Sequence, residues 1–315
     1  MLNRRHLRVK VLQTVYAFQQ SDDKNVNNFE KALLKSVDQV YEMYIWVLAL
    51  LSEVAEYAVT DAEDRANKFL PSEHDLNANT RLSNNTFIEL LRQNEQFVEL
   101  AKKYKVNAVF DAQLTRSIFH ILKQSPEYIE YLDNDDRSLK AEKEIIKFIF
   151  KKIILKSPAI EQVFDEHFIN WTTDKDVLQA LLAKTLKNFS SEDPEKNQLA
   201  QLCPNWTDDK EFIVDLFRLT TRHGEDYQKY ISGKTKNWEA DRIAMIDTLL
   251  MRMAITELLN FSSIPVKVTI NEYIEISKEF STPKSNSFIN GILDKILIEL
   301  QQEGKVRKFG RGLIG

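Results

Sequence analysis

Arg4, Arg5, Arg8 and Lys10 crowd the start of the chain, and the first twenty residues contain no acid. With Asn3 and His6 among them they form a dense set of hydrogen-bond donors of the kind that grips phosphates. Arg4, Arg8, Val11, Val15 and Phe18 recur at helical spacing and share one stripe that begins basic and turns apolar. The spacing predicts a helix over 3–20 that leaves the core at its N-terminal end. Arg4 and Arg8 then project beyond the core, with Arg5 alongside. A frayed, charged helix start is the competing reading.

A second constellation lies near the other end. Pro265 should stop one helix, and Thr269 with Glu272 has the T-x-x-E spacing of a capping box that starts the next. After Phe280 comes Ser281-Thr282-Pro283-Lys284-Ser285-Asn286-Ser287-Phe288. Ser285 is suited to an N-cap, and a helix N-terminus with free amides, hydroxyls and Lys284 beside it is a ready phosphate site. Gly291 falls inside that helix, where it costs about 1 kcal/mol against Ala, so close helix packing is expected there. Caps and packing alone also account for this pattern.

Other chemistries lack their residues. The histidines (His6, His74, His120, His167, His223) are at least 46 positions apart, none with Glu three places before it. Di-iron and zinc-helix signatures are therefore missing. Cys203 is alone, so no disulfide framework or thiolate cluster is available. Neither a cofactor nor a metal is expected, and the chain reads as a non-enzyme.

Composition says what must position these groups. Seven glycines occur in 315 residues, and the first is Gly224. Tight hairpins and phosphate-cradling loops need glycine for positive φ or close backbone approach, so the first two-thirds of the chain is confined to helices. Helical periodicity predicts elements over 3–20, 26–66, 84–104, 108–124, 136–155, 158–170, 173–190, 208–231, 238–261, 270–280 and 286–302. Segments 71–85 and 189–206 read as polar loops. Asn170-Trp171-Thr172 and Asn205-Trp206-Thr207 look like two similar helix starts, with Thr as N-cap and the tryptophans packing beside them. The formal net charge of −4 hides +4 in residues 1–20 and +4 in 304–315, which leaves −12 for the body. Two basic ends on an acidic body favour a polyanionic partner. No uncharged apolar run approaches the roughly 20 residues of a membrane span, and the start lacks the apolar stretch of a secretory signal. A cytoplasmic protein without membrane contact is expected.

Pro265-Val266-Lys267-Val268-Thr269-Ile270-Asn271-Glu272, Ile274 to Phe280 and Phe288-Ile289-Asn290-Gly291-Ile292-Leu293-Asp294-Lys295 resemble the C-terminal signature of the NusB family. Arg252-Met253-Ala254 with Glu257-Leu258 fits the preceding family helix, and Arg4 to Gln19 is similar to its Arg-rich first helix. The resemblance implies an all-α, NusB-like helical bundle of two packed three-helix units. It implies a role in transcription antitermination, in which the protein pairs with a small-subunit ribosomal protein (NusE) and binds the single-stranded boxA element of nascent ribosomal RNA within the transcription elongation complex. By position, RNA would meet Arg4, Arg5, Arg8, Lys284, Ser285, Asn286, Ser287 and Phe288, the last stacking on an unpaired base. Tyr16 and Asp247 would face the ribosomal protein. Asp247 borders the apolar stripe of Leu250 and Ala254, where a carboxylate is either paired internally or offered to a partner.

This layout assigns 1–20 to the first family helix, 21–204 to an inserted helical region, 205–303 to the C-terminal core and 304–315 to a basic tail. Position 284 is often acidic in relatives and is Lys here. The insertion has apolar residues enough for its own core, while its role is not written in its residues. The tail either contacts RNA or is a disordered solubility end, with disorder preferred. Two alternatives stand beside the antitermination reading. One is the NusB-like accessory module of a ribosomal RNA methyltransferase, which would need a Gly-rich cofactor fold and a nucleophilic Cys that this chain lacks. The other is a helical scaffold for proteins only.

Overall fold

The computed structural model describes residues 1–235 and 243–309. Those residues form an all-α protein with no strands. Its helices are α1 (Arg4–Gln20), α2 (Val26–Ala66), α3 (Glu73–Leu76), α4 (Thr86–Gln93), α5 (Glu95–Lys103), α6 (Ala112–Leu122), α7 (Pro126–Asp133), α8 (Leu139–Phe148), α9 (Pro158–His167), α10 (Trp171–Asn188), α11 (Trp206–Arg222), α12 (Gly224–Lys234), α13 (Met245–Asn260), α14 (Val266–Phe280) and α15 (Ser285–Gln302). The chain divides into two compact units: Met1 with Asp38–Leu202, and Leu2–Val37 with Cys203–Gly315. The long α2 gives its first turns to the latter unit and the rest to the former.

The discontinuous unit is organised round α13. Leu249, Leu250, Met251, Met253, Ala254, Ile255 and Leu258 are all buried, so this helix is apolar on every side. A helix of that kind belongs at a centre, and α1, α11, α12, α14 and α15 pack against it. Phe18 of α1 meets Phe217 of α11 and Phe29 of α2 edge to face. The contiguous unit is built on α2, whose residues from Met43 to Leu51 are buried, with α4, α6, α7, α8, α9 and α10 supplying its other apolar faces. Its buried polar node is Arg81, which donates to Glu142 at 2.7 Å and stacks over Tyr131. By length and composition α2 is long and apolar enough to cross a membrane, contrary to the sequence expectation; 67% of its most apolar stretch is buried inside the protein.

Several predicted helices are divided. The element expected over 84–104 becomes α4 and α5 because Asn85 and Asn94 each cap a new start, accepting from Phe87 N and Phe97 N. The element over 208–231 breaks at His223 into α11 and α12. That over 136–155 passes through a π-helical turn, Ile149–Ile153, into a short 3-10 turn. Polar segment 71–85 holds α3 and a 3-10 turn. At the paired Trp motifs Asn170 and Asn205, not Thr, occupy the N-cap position; Trp171 is buried while Trp206 is 39% exposed. Residues 238–242 of the predicted 238–261 helix lie outside the described residues.

Candidate nucleic-acid interface

The Arg-rich start is a well-made helix terminus. Asn3 caps α1, its Oδ1 accepting from Arg5 N at 2.9 Å and His6 N at 3.0 Å, while His6 Nδ1 accepts from Asn3 N. Two arginines in a first turn without an acid oppose the helix dipole. Carboxylates from two other helices offset that. Arg4 Nε lies 3.1 Å from Asp209 of α11, and its guanidinium stacks 4.3 Å over Phe212. Arg5 forms a two-pronged contact with Glu272 of α14, at 3.0 and 2.8 Å. That bonding, ahead of the neighbouring charge, raises the Arg5 pKa. Both side chains stay over 40% exposed.

Arg8 differs. It does not project beyond the core: its side chain is 2% exposed and donates to both oxygens of Glu257, itself 0% exposed, at 2.8 and 2.7 Å. Thr269 Oγ1 and Tyr273 Oη donate to the same carboxylate at 2.8 and 3.3 Å. Burial works against the Arg8 charge, yet the bonds and charge of Glu257 outweigh it and lift its pKa above the ordinary value. Burial, followed by the Glu257 charge, raises the Tyr273 pKa. Arg8 Nη1 lacks a hydrogen bond and sits 3.8 Å from Glu272 Oε2. Lys10 is also buried. An open cleft of about 1270 Å³ runs past Asn3, Arg4, Arg5, Phe212 and Glu272.

This network corrects the capping-box reading. Thr269 and Glu272 are inside α14, which begins at Val266 with Pro265 at its N-cap. Their side chains serve Glu257 and Arg5 instead. That Asp209, Glu257 and Glu272 are the partners of Arg4, Arg8 and Arg5 is not visible in the sequence, where Glu257 and Glu272 stand out only as a family-helix residue and a capping residue. The available signal was Glu257 itself, a lone acid in the apolar run from Met253 to Leu259.

The second constellation is a turn fastened to α13. Asp247, in the first turn of that helix and 5% exposed, accepts from Ser281 Oγ at 2.5 Å and from Ser285 Oγ at 2.8 Å. Of its two expected situations it occupies the internal one. Ser285 is therefore not the N-cap of α15 but its first residue, buried with its hydroxyl turned to Asp247; Lys284 is at the cap. Lys284 and Ser287 are exposed, and Asn286 and Phe288 are half-buried. Ser287 Oγ donates to Lys284 O at 3.1 Å. Gly291 corrects another expectation: it is exposed, and a Cβ built there meets nothing within 4 Å. Tyr16 is 40% exposed, with Gln20 Nε2 3.4 Å from its hydroxyl.

The described part of the tail is tied to the end of α13 and the turn after it. Lys308 Nζ donates to Glu257 O at 3.2 Å and Phe261 O at 2.9 Å, where a cation suits the last carbonyls of α13. Phe309 N donates to Ser262 O, and Lys305 pairs with Glu303. The preferred disordered reading fails over this stretch; 310–315, with Arg311, lies outside the described residues. Among the described residues no group of His, Cys, Asp and Glu could hold a metal ion.

The NusB family model matches positions 175–297, starting within α10. The chain is similar to the transcription antitermination protein NusB of Salinibacter ruber, 42% identical over 157 residues that make up 50% of this chain and 89% of that protein. It is 44% identical to the protein of that name from Chloroherpeton thalassium over 105 residues, 33% of this chain and 50% of that one. The counterpart from Geobacter sulfurreducens is 45% identical over 95 residues, 30% of this chain and 69% of the other. No solved structure matches the chain.

Proposed function

The chain belongs to the NusB family, and on that premise we propose that it is a non-catalytic, cytoplasmic antitermination factor that binds boxA-like single-stranded RNA of nascent ribosomal RNA transcripts. It does so together with a small-subunit ribosomal protein (NusE) in the transcription elongation complex.

The observation that carries this reading is the division of labour among the cations. Arg8 is spent on Glu257, whereas Arg4, Arg5 and Lys284 keep their heads near water. Arg4 and Arg5, each over 40% exposed, can turn from Asp209 and Glu272, which are 14% and 20% exposed, towards phosphates in the water beside them. Glu272 lies nine residues before Ser281, the C-cap of α14, so Arg5 and the turn that starts at Ser281 address points about 14 Å apart along that helix. Phosphate contacts at one end and a Phe288 stacking platform at the other suit an extended single strand. Tyr16 serves the ribosomal protein directly. Asp247 serves binding through the turn it fastens.

The test is a titration of labelled boxA RNA with and without the ribosomal protein over a range of salt. Affinity should fall steeply with salt, and Arg4→Ala with Arg5→Ala should flatten that dependence by up to about one unit per residue. No RNA binding in either condition would overturn the reading.

A further inference from the structure

The contiguous unit carries a protrusion and a groove that the antitermination reading leaves without a use. The protrusion is the turn after α2. Phe69 is 97% and Leu70 83% exposed, with Leu76 at 60%. Single exposed apolar residues are ordinary, but two adjacent large ones on a fixed support are not. The support is Asp75, whose carboxylate accepts from Arg65 Nε at 3.0 Å, Lys68 Nζ at 2.9 Å and Ser72 N at 3.1 Å. The Lys68 bond, then that of Arg65, holds the Asp75 carboxyl well below the usual carboxylate range. Glu63, Asp64 and Glu73 flank the tip in the chain, exposed and without a cationic partner among the described residues.

The groove lies between α8 with its π-helical turn and α10. Phe150 and Leu155 form one wall; Leu182 and Leu186 form the other, and its volume is about 270 Å³. That is below the roughly 300 Å³ at which small-molecule pockets begin and suits one large side chain. Lys147 and Lys151 stand exposed on its rim; Lys152 and Lys156, also exposed, come next in the chain without lining it. Lys147 meets Glu144 in an exposed pair at 3.2 Å, a weak contact. Lys151, Lys152 and Lys156 have no carboxylate partner among the described residues. π-helical turns recur at functional sites; this one carries Phe150 and Lys151, both of which line the groove.

We propose that the Phe69–Leu70 tip of one copy of this chain inserts into the α8–α10 groove of a second copy. An apolar tip with unpaired Glu63, Asp64 and Glu73 before and after it in the chain meets an apolar slot whose rim carries unpaired Lys151 and the weakly paired Lys147, so the two surfaces match in charge, and the slot takes one large side chain such as Phe69. Tip and groove are different surfaces. A single contact therefore leaves one of each free, and the assembly either closes by reciprocal exchange or grows head to tail.

Sedimentation of the full chain over a concentration series tests this. Apparent mass should rise to at least twice the 36.8 kDa of one chain, and less so at high salt. Phe69→Ser with Leu70→Ser, and separately Lys147→Glu with Lys151→Glu, should each hold the chain at single-chain mass. All four positions are exposed, so the fold should survive, as circular dichroism would verify. Mixed together, the two variants should form a one-to-one pair and nothing larger, since one intact tip and one intact groove remain. A wild-type chain that stays single at every concentration overturns the proposal. So does a variant that still associates, or a mixture that fails to pair while the wild type does.

Discussion

Arg8 and Glu257, 249 positions apart, face each other through two hydrogen bonds of 2.8 and 2.7 Å with almost no water in reach. Removing one partner of such a pair strands a charge in the core. Arg8→Ala should therefore cost about 3–5 kcal/mol, while Arg5→Ala, at a 44% exposed side chain, should cost no more than about 1 kcal/mol. Urea unfolding of the two variants measures the contrast. Equal losses would mean that Arg8 is not a core residue.

Asp247 makes a different kind of prediction. Asp247→Ala deletes the acceptor of two hydroxyls, and hydrogen bonds to a charged group are worth about 1.5–3 kcal/mol each before the loss of additivity. Faster amide exchange over Ser285–Phe288 and a lower melting temperature are expected, and Asp247→Asn should recover part of both. If exchange in that turn is unchanged, Asp247 does not hold it.

Gly291→Ala should stabilise the chain by up to about 1 kcal/mol, because the position is helical, exposed and open. Thermal unfolding decides. A destabilised variant would show that the backbone there is closely approached.

Cys203 should be a slow thiol. Burial, followed by the nearby Asp209 charge, pushes its pKa up to about 11. A raised pKa means less thiolate at a given pH, on the order of one part in a thousand at pH 8. Alkylation by iodoacetamide should lag far behind a free cysteine and accelerate as pH rises towards 11. A rate equal to that of free cysteine at pH 8 would contradict this environment.

Periodicity alone located α2 to its ends, because a long amphipathic run between polar segments leaves little choice. The start of α14 was harder: Thr269 and Glu272 fit a cap by spacing, and only the positions of Glu257 and Arg5 in space show that both are used sideways. Arg8 was misplaced for the same reason, since an arginine reads as exposed until its buried acid is known. Gly291 was assigned a packing role because an unfavourable residue invites a compensating contact, and the contact is absent. At the turn, the Asp247 anchor that fixes Ser285 depends on how α13 meets α14 and α15, and no spacing within one segment carries that information.

The pairing of residue 8 with residue 257 also fixes an order of events during synthesis. At about 5–20 residues per second, the ribosome delivers Glu257 roughly 12 to 50 s after Arg8. Throughout that wait the first helix has no home for its charge. Asp38–Leu202, an uninterrupted stretch with its own core, emerges whole in the meantime and can close on itself first. Birth order thus runs opposite to chain order: the unit that holds the N-terminal helix is the last to be completed, and a stalled chain shorter than about 257 residues would expose that helix to chaperones and proteases.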